Sequence, residues 1–141
     1  TLIATNTALN NPDLAGSFIS DGNNLIGDAS DSTGITRDVA GNRVGTTEQP
    51  LDPLLRSLSE NDGSNFTHDL LPGSPALNAG NDNGAPLTDQ RGFLRRPEGV
   101  GTVDIGAVEQ VFVSISGIKF HDFVSLKACL IKLGVKRVNL M

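Results

Sequence analysis

Glycine, proline or asparagine interrupts residues 1–110 every ten positions or so. An amphipathic helix needs apolar residues at i, i+3, i+4 and i+7 over several unbroken turns. No stretch of this region offers that, so the sequence points to short strands joined by tight turns. The core must also be aliphatic. The chain has no Trp, no Tyr and six Phe, whereas compact domains usually draw much of their apolar mass from large aromatics. Clusters such as Leu25-Ile26 and Leu70-Leu71 recur too regularly for a disordered chain.

Short units of apolar residue, glycine and polar or acidic residue repeat. They are Ile26-Gly27-Asp28, Ala79-Gly80-Asn81-Asp82 and Ile105-Gly106-Ala107-Val108-Glu109. The glycines fall 53 and 26 residues apart, and Leu51-Asp52-Pro53-Leu54-Leu55 lies near the midpoint of the longer gap. A pitch of roughly 23–27 residues is in the range of solenoid repeats. The expected fold is therefore all-β: the terminal rungs of a right-handed parallel β-helix. Strands are expected at 2–4, 17–20, 24–26, 68–71, 76–78 and 103–108. Asn24 and Asn78 are either plain turn residues or members of a stacked ladder.

Charge divides the chain. Residues 1–110 carry six Arg, no Lys and fifteen Asp or Glu, whereas residues 111–141 carry four Lys and one Arg against Asp122 alone. Two domains follow: 1–110, the rungs and closing segment, and 111–141, a basic and apolar tail. In the tail, Val111–Ile115 alternates like a strand and the residues after Gly117 suit a short helix. The tail is either a cap on the last rung or an extension unrelated to the fold. The acidic body argues against nucleic-acid binding, and no apolar run reaches the ~18 residues of a membrane helix. Cys129 is the single cysteine, so the chain forms no internal disulfide. Thr1-Leu2-Ile3-Ala4 reads like the inside of a strand, so further rungs of a longer protein are expected upstream.

Three blocks, 12–28 (PDLAGSFISDGNNLIGD), 49–82 (QPLDPLLRSLSENDGSNFTHDLLPGSPALNAGND) and 89–109 (DQRGFLRRPEGVGTVDIGAVE), resemble the C-terminal end of bacterial right-handed parallel β-helix surface proteins. These are choice-of-anchor and adhesin-like proteins, similar to polymorphic outer-membrane proteins. The resemblance implies a secreted or cell-surface structural role without enzymatic activity, with a surface glycan or a protein as partner. Residues 111–141 match no anchor of that family.

The same resemblance leaves an enzymatic alternative, because parallel β-helices often carry polysaccharide lyase or glycosidase chemistry. A hydrolase needs two carboxylates flanking the bond, roughly 5–9.5 Å apart, and Asp89, Arg91, Asp104 and Glu109 supply suitable types. In such a fragment the active site would lie mostly upstream. The simpler reading is a clamp: Arg91 forks onto Asp104 or Asp89 and ties successive turns together, while glycines at 92, 99 and 101 permit tight returns. Two acidic turns, around Asp62 and at Asn81-Asp82-Asn83, offer oxygen ligands for Ca²⁺ beside a glycine; Asn-Gly and Asp-Gly pairs are also ordinary turns. His68 beside Asp69 lacks a second partner at a useful spacing, and Ser57 and Ser74 have no nucleophile-elbow context.

Overall fold

A computed structural model describes residues 1–10, 13–61, 63–95 and 101–110. Thr1–Gln110 forms one compact unit. Its strands are β1 (Leu2–Ile3), β2 (Ala15–Ser17), β3 (Leu25–Ile26), β4 (Asp31–Thr33), β5 (Arg43–Val44), β6 (Ser59–Glu60) and β7 (Phe66–Thr67). Each is two or three residues long, as dense turn chemistry dictates. No helix occurs among the described residues, and therefore none long and apolar enough to cross a membrane.

The central element is β3. It pairs in parallel with β1 on one side and β5 on the other, so Leu25 lies opposite Leu2 and Arg43, and Ile26 opposite Ile3 and Val44. Successive side chains on a strand point to opposite faces, and here each face builds its own core. Leu25 packs with Leu70, Ala76 and Ile105, joined by Leu2, Leu51 and Leu55. Ile26 packs with Ala29 and Val44, joined by Ile3, Leu14 and Ile35. The three-stranded sheet thus sits between two small aliphatic clusters, with Leu25 fully buried. A second parallel pair, β2–β4, lies in a separate sheet.

After Leu51 the architecture changes, and the expected β-helix gives way. β6 and β7 pair antiparallel, and isolated antiparallel bridges join Leu55 to Leu70 and Thr88 to Leu94. An all-parallel coil over residues 1–110 is therefore not what forms. The fold is a set of short strands in parallel and antiparallel sheets. The cause is local. Asn61, nearly fully buried, donates through Nδ2 to the Thr67 carbonyl at 2.8 Å and to Thr67 Oγ1 at 3.0 Å. That bracket folds the acidic turn region back on itself as a hairpin.

Strands expected at 76–78 and 103–108 are also absent. Asn78 adopts a φ of 50°, in the left-handed region, and the Leu77 amide bonds back to the Ser74 carbonyl as a turn. In 103–110 side-chain carboxylates take up backbone donors that a neighbouring strand would otherwise satisfy: Asp82 accepts from Val103, Glu109 from Asp104, and Asp104 from Gln110. Near 68–71 only Leu70 makes a bridge, and the strand lies one turn earlier, at Phe66–Thr67. The strand and helix expected in 111–141 lie outside the described residues.

Candidate functional site

The charged residues of 89–109 converge with Asp69 on one buried cluster. Asp89 organises its first half. Its Oδ1 accepts the amides of Arg91 at 2.8 Å and Phe93 at 3.1 Å, closing a turn. Gly92 lies in that turn with φ 85°, a conformation glycine adopts without strain. The turn delivers the Arg91 side chain back onto the same carboxylate, with Nε at 2.9 Å and Nη2 at 2.8 Å from Oδ2. The Glu109 amide reaches that oxygen at 3.1 Å.

Arg91 spans three parts of the chain. Nη1 donates to Asp69 Oδ1 at 3.0 Å and Nη2 to the Glu109 carbonyl at 2.6 Å. The guanidinium also lies 4.8 Å from the Phe93 ring centroid, a cation–π distance. Arg91 thus selects Asp89 and Asp69, not Asp104. The side chains are sealed: 4% exposed for Arg91, 2% for Asp69 and 0% for Asp89. Asp69 and Gly63 are contributors the sequence reasoning missed. A Cβ on Gly63 would stand 2.8 Å from Arg91 Cβ and 2.9 Å from its Cγ. Glycine at 63 is therefore what lets the hairpin close over the arginine.

Asp104 and Glu109 form the second half. Asp104 accepts from the Asn78 amide at 2.7 Å and the Gln110 amide at 2.7 Å. Glu109 Oε2 accepts from the Asp104 amide at 3.0 Å and lies 3.7 Å from Arg95 Nη1. Arg95 spends Nη2 on the Gly106 carbonyl. Among the described residues, Arg95 Nε and Gln110 Oε1 are buried without a hydrogen-bond partner.

The two halves titrate in opposite directions. Burial works against ionisation of Asp89, but the Glu109 amide, the Arg91 side chain and the Phe93 amide outweigh it and hold its carboxyl below the usual range. Burial dominates at Asp104 and raises it. Glu109 is pushed up to about 7 by burial and by the neighbouring Asp104 and Asp89 charges, against the pull of the Asp104 amide and Arg95.

The other candidates do not join this cluster. Asn81 Oδ1 accepts the Asn83 amide and Asp82 Oδ1 the Val103 amide, so these oxygens cap turns. Asp62 lies outside the described residues. No group of His, Cys, Asp and Glu suited to a metal ion occurs among the described residues. His68 is exposed, with Nδ1 at 2.7 Å from the Arg56 carbonyl; a carbonyl only accepts, so Nδ1 carries the hydrogen. Ser74 donates to the Pro53 carbonyl at 2.6 Å and accepts from Ala76, as a buried turn residue. Asn24 meets Ser20 and Asn42 in a side-chain network, whereas Asn78 engages Asp104 through its amide.

A cleft of about 600 Å³ opens beside β1, lined by Leu2, Ala4, Asp52, Leu55, Arg56 and His68. None of the cluster's charged side chains lines it. No protein-family model, no curated protein and no solved structure matches the chain.

Proposed function

We propose that this chain is a non-enzymatic structural piece of an extracellular or cell-surface, adhesin-like protein, whose partner is a glycan or another protein. The observation that carries the non-enzymatic part is the sealing of the charged cluster. Groups that could do acid–base work on a polysaccharide are spent on one another and on backbone amides. Asp89 has no exposed side-chain surface, and Asp104 and Glu109 engage backbone amides, including that of Asn78. Cleaving a glycosidic bond requires carboxylates on opposite sides of a sugar that reaches them. A buried arginine that donates to two carboxylates and a carbonyl instead fixes the relative positions of distant segments. Here those segments carry Asp69, Asp89 and Glu109.

The surface role draws on the acidic, lysine-free body and on the sequence resemblance. The test is to incubate the full chain with acidic and neutral polysaccharides and count new reducing or unsaturated ends. In parallel, the unfolding of Asp104→Ala is followed by circular dichroism. The expected result is no new ends and a clear loss of stability. Cleavage by the parent chain, lost in a fully folded Asp104→Ala, would overturn the reading.

A further inference from the structure

The cluster holds more acid than base. Asp69, Asp89, Asp104 and Glu109 outnumber Arg91 and Arg95, and all are buried. The two arginines are not shared evenly. Arg91 is committed to Asp69, Asp89 and the Glu109 carbonyl. Arg95 is turned to the Gly106 carbonyl and reaches Glu109 only at 3.7 Å. Among the described residues, the charged groups facing the Asp104–Glu109 pair from other segments are Arg91 and Asp89, from the turn at 89–93, Arg95, and Asp82 on the adjoining Val103 amide. Asp69 is bonded to Arg91 Nη1. Within the pair, Asp104 accepts two amides, which suits a charged carboxylate. Glu109 Oε2 has the Asp104 amide and the distant Arg95.

We propose that Asp104 and Glu109 form a proton-operated latch on segment 101–110. With one proton on the pair the segment is held in place, and loss of that proton to solvent loosens it. The inference deepens the structural-clamp reading and rests on it. With the proton on Glu109, the pair carries one negative charge, which the Asn78 and Gln110 amides satisfy at Asp104. With both ionised, two buried like charges lie in one short segment, with Arg91 committed to Asp69 and Asp89 and only Arg95, 3.7 Å from Glu109, to offset them. The same segment supplies Val103, Ile105 and Val108 to the interior, and Ile105 belongs to the cluster on Leu25. Loosening it uncovers that face of the core. The elevated proton affinity of Glu109, about 7, places the transition near neutrality.

The test uses the full chain and amide hydrogen exchange, corrected for intrinsic rates, at about pH 5 and about pH 8. Protection at Asn78, Asp104 and Gln110 is expected to fall at least roughly ten-fold at the higher pH, and to lose most of that pH dependence in Glu109→Gln. Unchanged protection in the parent chain, or the same pH dependence in Glu109→Gln, would overturn the latch. If Glu109→Gln does not fold, the Glu109 side-chain carbon resonance of the parent chain decides. A titration step near neutrality supports the latch, and a step in the ordinary glutamate range overturns it. Arg91→Ala separates the two ideas. If it leaves stability unchanged at every pH, the clamp itself fails. If it destabilises while exchange shows no pH dependence, only the latch fails.

Discussion

Arg91→Ala removes the contacts to Asp69 at 3.0 Å, to Asp89 at 2.9 and 2.8 Å, and to the Glu109 carbonyl at 2.6 Å. What remains decides the magnitude. Asp69 and Asp89, with side chains 2% and 0% exposed, stay buried when the arginine is gone. Removing one partner of a buried ion pair costs about 3–5 kcal/mol, because the other charge stays desolvated. An exposed pair contributes roughly 0–1 kcal/mol. The chain has no Trp or Tyr, so urea unfolding is followed by far-ultraviolet circular dichroism. A loss of about 3 kcal/mol or more at neutral pH is expected. A loss below about 1 kcal/mol would mean that the cluster is solvated and would refute the reasoning. Arg91→Lys keeps a charge but not the planar fork. It should lose less than Arg91→Ala, and it serves as the measurable variant if the alanine protein does not fold. The deficit of Arg91→Ala should shrink towards acid pH, where the Asp89 carboxyl that Arg91 helps hold ionised takes up a proton.

Stability should follow a dome in pH. Glu109, raised from 4.5 to about 7, contributes fully below 4.5 and loses its contribution as pH rises through about 7. The ceiling of that loss is about 3 kcal/mol. Asp104, also raised, acts in the same sense, whereas Asp89, lowered from 3.8, contributes above 3.8 and is lost as pH falls further. Urea midpoints from about pH 3 to about pH 9 check this, and a stability that rises steadily through neutrality would contradict it. Asn61→Ala should cost about 1–3 kcal/mol, since it leaves buried Thr67 groups unpaired; hydrogen exchange should show the loss centred on β6–β7. Gly63→Ala should destabilise by about 1–3 kcal/mol by pushing on the Arg91 stem, and this cost should be smaller in an Arg91→Ala background. Millimolar Ca²⁺ should not shift the unfolding midpoint, because the Asn81 and Asp82 oxygens already cap turns.

Short strands, dense turns and an aliphatic core were legible from the breaker spacing and the missing Trp and Tyr. So were the strands expected at 2–4 and 24–26, which form as Leu2–Ile3 and Leu25–Ile26, the second followed by its Gly27-Asp28. The antiparallel return was not legible as a fold change. Its signal, Asn61 and Gly63 flanking an acidic residue before Phe66, is present but reads equally as an ordinary turn or as oxygen ligands for Ca²⁺. What separates a hairpin from a turn within a coil is the burial of Asn61 against Thr67, and that depends on tertiary contacts. At the site, residue types and spacing pointed to Asp89, Arg91, Asp104 and Glu109 as one group. They could not choose Asp89 over Asp104 as the partner of Arg91, because that choice follows from the turn that the Asp89 carboxylate itself closes. Asp69 was weighed only as a neighbour of His68. The two point different ways, since Asp69 is buried on Arg91 and His68 is exposed on Arg56.

Arg91 is sealed between Asp69, Asp89 and the Glu109 carbonyl. Guanidinium nuclear magnetic resonance reads this directly. A forked arginine held by Asp69, Asp89 and the Glu109 carbonyl should show separate Nη hydrogen resonances that exchange slowly with water. A single averaged resonance exchanging at the rate of a free arginine would contradict the account.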